Sequence, residues 1–169
     1  RRAVLIVDEA QNLSHSLLEQ IRLLSNLETE RDKLIQIILV GQLDLLKHLA
    51  LPELKQLNQR VSVRYRLRPL SFQEMCQYVY HRLMVAGGAT GVSFSSGALR
   101  AIYKYSQGIP RLVNLAADRA LLQGYTDQAR EITKRRAGAG IRSLVDAGSS
   151  QPSGGMFGRR AAAVMGLCV

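Results

Sequence analysis

Two adjacent carboxylates carry the clearest chemical signal in this chain. Val4-Leu5-Ile6-Val7 is an unbroken apolar run, and Asp8-Glu9 follows it directly. A short run of this kind is the pattern of a strand buried on both faces of a parallel sheet. Carboxylates at the end of such a strand suit magnesium-dependent hydrolysis of a nucleotide. Asp8 would hold the water shell of Mg2+, and Glu9 would polarise the attacking water. Ordinary surface acids at a strand end are the competing reading. A second apolar run, Leu34 to Val40, ends at Gly41-Gln42. It delivers a polar side chain to the C-terminal edge of a strand, where open α/β sheets bind ligands. Polar residues end most strands, so Gln42 alone decides little.

Two arginines complete the set. Arg60, in Leu57-Asn58-Gln59-Arg60-Val61, lies between a helical stretch and a strand. The planar, permanently charged guanidinium suits the phosphate oxygens of a transition state and is often donated across a subunit interface. Arg111, in Gly108-Ile109-Pro110-Arg111, falls in the first turn of a helix, from which it could reach a phosphate. Both also read as plain surface side chains, Arg111 slightly disfavoured there by the helix dipole. Other reactive residues form no constellation. His15, His48 and His81 do not have metal-ligand spacing. Ser149 and Ser150 lack a neighbouring base. Cys76 and Cys168 are too far apart for a metal or redox motif, and two cysteines make no disulfide framework, which fits a reducing compartment.

The elements that must position these residues follow from pattern. After the first strand, Asn12 or Ser14 can cap a helix carrying Leu17, Leu18, Ile21 and Leu24 at helical spacing. Asp44 to Ala50 reads as a short helix that Pro52 interrupts or restarts, and Val61, Val63, Tyr65 and Leu67 alternate as in a half-exposed strand. Strand and helix alternating in this way predict an α/β layered sheet. After Pro69 only helices are expected: one from the Ser71/Glu74 capping box, one from Ser95 or Ser96, and one from Pro110 to near Gly124. A further helix over Thr133 to Val145 is weakened by Gly138 and Gly140, and Ala147 to Gly158 has a linker's composition.

The chain's 169 residues, 47% hydrophobic and 21% charged, suffice for one domain and a core without disulfides. No run of about 18 apolar residues occurs, so no complete membrane helix is present. Arg159-Arg160 does precede nine small or apolar residues, as at the cytoplasmic start of a membrane helix. The opening, without Met or a signal-peptide pattern, reads as a piece of something longer. Net charge is +10, half of it within residues 134–169. That excess favours phosphate-bearing or membrane-surface partners without naming one. Aromatic residues make up only 5% and do not interleave with the basic stretches, which disfavours stacking on single-stranded nucleic acid.

Taken in order, the strand ending in Asp-Glu, the strand with a polar end, the arginine and the helical part with Gly-x-Pro-Arg resemble the AAA+ ATPases. The wording of Val4-Leu5-Ile6-Val7-Asp8-Glu9-Ala10-Gln11-Asn12-Leu13, Leu39-Val40-Gly41-Gln42, Leu57-Asn58-Gln59-Arg60-Val61 and Gly108-Ile109-Pro110-Arg111-Leu112-Val113-Asn114 is similar to the ExeA/GspA family of general secretion pathway ATPases, over about residues 3–133. The resemblance implies ATP and Mg2+ as cofactors. It makes Asp8-Glu9 the Walker B pair, Gln42 (or Gly41) the sensor 1 position, Arg60 the arginine finger and Arg111 the sensor 2 arginine. It also implies a layout: residues 1–68 as the C-terminal part of a parallel-sheet P-loop base, 70–133 as an all-α lid, 134–160 as a basic linker and 161–169 as the start of a truncated membrane helix.

Family members join a cytoplasmic ATPase to a membrane helix and a peptidoglycan-binding periplasmic part, and assist assembly of the outer-membrane secretin. A homo-oligomer, a membrane partner of the secretion system, peptidoglycan contact through a region outside this sequence, and a place on the cytoplasmic face of the bacterial inner membrane are therefore implied. One departure is large. No Gly-x-x-x-x-Gly-Lys-Ser/Thr occurs, so the phosphate cradle is expected upstream of Arg1, and these residues alone are expected to hydrolyse no ATP. Two other readings are a DNA-associated AAA+ helper of the transposition or initiator type, with nucleic acid as partner, and an inactive scaffold.

Overall fold

The computed structural model describes residues 3–26, 34–87, 91–149 and 162–167. Strands β1 (Ala3–Val7) and β2 (Ile35–Gln42) pair in parallel, with Leu5 opposite Ile37 and Val7 opposite Leu39. Helix α1 (His15–Leu24) begins where the Ser14 hydroxyl accepts the Leu17 N–H, which satisfies one of the helix's orphan donors. Its Leu18 and Ile21 bury against Ile37 and Leu39. After β2 come α2 (Asp44–Leu49), a 3-10 turn at Pro52–Leu54, α3 (Lys55–Arg60) and β3 (Val63–Arg66). Leu45, Leu49, Leu54 and Leu57 join the same core. The three helices thus cover one face of the sheet.

The other face is bare among the described residues. Val4, Ile6, Val63 and Tyr65 are 56%, 63%, 54% and 60% exposed. The expectation that β1 is buried on both faces therefore fails, because a parallel sheet is doubly buried only when helices lie on both sides. β3 is likewise exposed along its whole length rather than half of it.

A fourth strand, β6 (Ala162–Leu167), lies between β2 and β3 and runs antiparallel to both, giving the order β1-β2-β6-β3. The start of a membrane helix was expected over 161–169. Its described part is extended instead, since a short apolar run fits a strand as well as a helix and the facing edges of β2 and β3 offer it backbone partners. No helix among the described residues is long and apolar enough to cross a membrane.

Residues from Pro69 onward form a second compact unit. It contains α4 (Phe72–Val85), α5 (Ser96–Ser106), α6 (Pro110–Thr126), α7 (Lys134–Ser149) and a two-residue parallel pair, β4 (Ser93–Phe94) with β5 (Glu131–Ile132). That pair departs from the helices-only expectation; two residues are too few to show a strand period. The Ser71/Glu74 capping box is formed in both directions. Met75, Val79, Ile102, Val113, Ala116 and Ile132 make the core. Residues 134–149 form α7, so the helix weighed over Thr133 to Val145 is present where the implied layout placed the start of a linker. Each glycine in a helix interior costs about 1 kcal/mol against alanine. Gly140, however, sits where a Cβ would come within 2.7 Å of the Arg119 carbonyl carbon, so the missing side chain is what lets α7 approach α6. The rest of the expected linker lies outside the described residues.

Candidate functional site

Asp8 and Glu9 leave the C-terminal end of β1, both exposed. Asp8 Oδ1 accepts the Glu9 N–H at 2.7 Å. Glu9 takes φ 52°, a left-handed conformation uncommon outside glycine, and turns the chain into a 3-10 turn at Ala10–Asn12 that is anchored by the fully buried Ala10. The turn aims Gln11 across the sheet. Gln11 Nε2 donates to Glu9 Oε2, and Gln11 Oε1 accepts the Gln42 N–H at 2.9 Å. One side-chain amide thereby ties the carboxylate of Glu9 to the end of the neighbouring strand. Gly41 makes room for it: a Cβ there would lie 2.7 Å from Gln11 Oε1 and 3.0 Å from Leu45 Cδ2. Asp8, Glu9 and Gln42 thus share one sheet edge, the C-terminal ends of adjacent parallel strands.

The arginines sit elsewhere. Arg60 ends α3, and its Nη1 donates to Ser25 Oγ at 3.4 Å. Ser25 is buried and donates to the Arg22 carbonyl at 2.6 Å, while Arg22 pairs with Glu19 at 2.6 Å. Arg60 is therefore held at the C-terminal end of α1. Among the hydrogen bonds of the described residues, none joins it to Asp8, Glu9 or Gln42. Arg111, in the second unit, is exposed on the first turn of α6 just after Pro110. The turn that presents it is fixed by Gly108, whose φ is +77° and whose carbonyl accepts the Leu70 N–H at 2.9 Å. A Cβ on Gly108 would lie 1.9 Å from the Leu70 carbonyl oxygen, so only glycine fits. Asn114, one turn beyond Pro110, accepts a hydrogen bond from the Tyr78 hydroxyl at 3.0 Å.

Residues 1–49 match the model of a family described as an AAA domain. Over 132 residues the chain is 47% identical to general secretion pathway protein A of Aeromonas hydrophila, an alignment covering 78% of this chain and 24% of that protein. The chain belongs to this family of secretion-associated AAA ATPases. It spans about a quarter of the length of the curated relative it matches. No solved structure matches it. The likeness read from the motifs is the family that the comparisons show, and an AAA domain brings nucleotide binding as its general property.

Within this AAA frame the sheet edge carries more than the motif residues. Gln11, Asn12, Gln42, Asp44, Lys47 and His48 line a polar cleft of about 430 Å³. On its rim Lys47 Nζ donates to Asp44 Oδ1 at 2.8 Å, and that carboxylate raises the lysine's pKa above its ordinary value. Both groups are well exposed, so the pair adds little stability. His48 meets His15 edge-on with ring centroids 6.4 Å apart, yet no group of three His, Cys, Asp or Glu among the described residues could hold a metal ion. Gln11 is the residue that spacing did not single out. Its part depends on the left-handed Glu9 and on the β1–β2 register, and neither leaves a mark in the order of residues. Burial pushes the Cys76 thiol's pKa up, which disfavours its reactive thiolate form.

Proposed function

We propose that the complete protein binds and hydrolyses ATP, and that this chain contributes the hydrolytic edge of that site. The observation that carries the reading is the Gln11 bridge, which holds the Glu9 carboxylate against the end of the neighbouring strand at a ligand-binding edge of a parallel sheet. Asp8, an exposed hard oxygen donor at that edge, fits the preference of Mg2+ for carboxylate and retained water. Mg2+, when bound, supplies charge neutralisation of the phosphates. Glu9, oriented by Gln11, positions the attacking water and takes its proton. Gln42 donates a hydrogen bond to the transferred phosphoryl group. Arg60, anchored on Ser25, serves the site of a neighbouring subunit, which makes hydrolysis depend on a homo-oligomer. Arg111 binds phosphate from the helical unit, acting as a lid. The glycine loop that cradles phosphate does not occur in these 169 residues, so they hydrolyse no ATP unaided.

The name of the relative supports a secretion role over the DNA-associated reading. In this proposal the oligomer works at the cytoplasmic face of the bacterial inner membrane, meets a membrane partner of the secretion system, reaches peptidoglycan through a region outside this sequence, and assists secretin assembly. Mixing two defective subunits tests the catalytic part. Arg60→Ala and Glu9→Gln, each introduced into the complete protein, abolish turnover separately. Mixed in equal amounts they recover a fraction of it, because intact sites form where a native Arg60 faces a native Glu9. Full turnover by Arg60→Ala alone would remove the arginine from the site.

A further inference from the structure

The two helices that follow β4 and β5 build a face of their own. β4 and β5 pair in parallel, with Ser93 opposite Glu131 and Phe94 opposite Ile132, so α5 and α7 leave the pair side by side. Their first turns touch: a Cβ on Gly97 of α5 would lie 3.2 Å from Lys134 Cβ of α7. They pack along each other and therefore run in one direction. Ala98 and Ile102 of α5 and Ala137 of α7 turn inward to one core. These marks fix the outward side, since each residue advances about 100° around a helix. Gly97 is the flank of α5 toward α7, and Arg100 and Lys104 lie on the side of it away from the core. Lys134 is the flank of α7 toward α5, and Arg135 and Arg142 lie on the side of it away from the core. All five cations are exposed.

The charge on this face is one-sided. α5 contains no acid, and α7 contains only Asp146, which ends the patch one turn past Arg142; Glu131 precedes α7 in β5. Arg142 Nη1 reaches back to 3.6 Å from where a Cβ on Gly138 would stand, over the seam between the helices. Arg136, on another side of α7, is held by Asp127 and the Glu131 carbonyl, whereas no ion pair among the described residues holds any of the five outward cations. Their arrangement is broad. A helix with its side chains is about 10–12 Å across, and packed axes lie about 8–10 Å apart. The major groove of duplex DNA, about 12 Å wide, admits one helix and not such a pair. A plane of anionic headgroups meets both rows of cations at once.

We propose that the outward face of α5 and α7 is a docking surface for an anionic lipid bilayer, on which Arg100, Lys104, Lys134, Arg135 and Arg142 meet headgroup phosphates. The choice of a bilayer rests in part on the inner-membrane location proposed above; the charge pattern does not. Clusters of about four to eight Lys and Arg adsorb to such membranes, each side chain worth roughly 5-fold in partitioning. Contact is electrostatic and reversible. Of the large apolar side chains described on these two helices only Val145 is exposed, too little for insertion into the acyl layer.

Co-sedimentation with vesicles tests it, on the 169-residue chain at about 0.1 M salt, where exposed charges are screened beyond about 10 Å. The chain is expected to bind vesicles of equal parts phosphatidylglycerol and phosphatidylcholine, to ignore phosphatidylcholine alone, and to be released as salt rises. No binding to the anionic vesicles overturns the proposal. Arg100→Gln with Arg142→Gln should weaken binding about 25-fold, and Lys104→Glu with Arg135→Glu at least as much. Lys47→Glu with Lys55→Glu, on α2 and α3 of the other unit, changes net charge as much as the latter pair and should leave binding within about 3-fold. Equal losses from those two pairs would mean that net charge acts and not this face, and overturn the proposal. A short DNA duplex held more tightly than the vesicles through the same residues overturns it as well. Vesicle binding by this chain, with the complete protein recovered away from the cell membrane, supports the surface and counts instead against the inner-membrane location, which keeps the two separable. An unchanged urea transition of the helical unit reports that each variant is folded, and if one pair shifts it the other pair decides.

Discussion

The helical unit closes its own core, whereas the described residues of the α/β unit leave one face of their sheet uncovered. In the former, Met75, Ile102, Val113 and Ile132 are sealed by segments that follow one another closely in sequence, and Gly124 and Gly140 admit the close approaches that complete the packing. In the latter, one face is sealed as tightly by Leu18, Leu39, Leu45 and Leu57, while Val4 and Ile6 on the opposite face are more than half exposed. Helical packing draws on neighbours along the chain; a parallel sheet needs strands and helices from distant parts of it. The residues proposed to hydrolyse nucleotide, Asp8 and Glu9, lie in the unit with the open sheet face.

The contrast can be broken at several points. Ile102→Ala, in the closed core, should lower stability by about 2–5 kcal/mol, read as a shift of the urea transition followed by a probe in the helical unit. Gly140→Ala should cost about 1–3 kcal/mol through overpacking against the Arg119 backbone, in the same melt, although alanine is the better helix former. Ile6→Ala should change the stability of this chain by no more than about 0.5 kcal/mol, as for a surface position. A loss of several kcal/mol there would mean that the face is covered after all.

The smallest effect concerns Cys76. Burial raises its thiol pKa, so the folded chain disfavours the thiolate. The associated stability is fully present below the ordinary thiol pKa and declines as pH rises through the raised folded value, because the unfolded chain ionises first. Alkylation at pH 8 should accordingly run slower than for a free cysteine, and equal rates would contradict the burial.

How much of this was readable in advance differs between the two regions for the same reason. Ser71 with Glu74 and Ser95 mark helix starts by local hydrogen bonding, and Pro110 marks one by its fixed φ; each starts a helix in the structure. Asp8-Glu9 after four apolar residues marked a strand end, because the length of a strand shows in the local apolar run. Gly138 and Gly140 misled because intrinsic propensity weighs a residue against its own helix, while Gly140 answers to α6. The bare sheet face could not be foreseen from Val4 and Ile6, which look as buried in the pattern as Leu5 and Val7; only topology tells the faces apart. Nor could Gln11, two residues past Glu9, be separated from an ordinary turn glutamine before the β1–β2 register brought Gln42 to it.

The central claim is that Glu9 is the hydrolytic carboxylate of a nucleotide site. It is tested most directly by Glu9→Gln in the complete protein, with ATP binding and turnover measured side by side. The glutamine keeps the shape and the bond to Gln11 but cannot take a proton, so turnover should fall by about 10²-fold or more while ATP remains bound. Turnover unchanged from the native protein would contradict the assignment and leave Asp8-Glu9 as surface acids at the end of a strand.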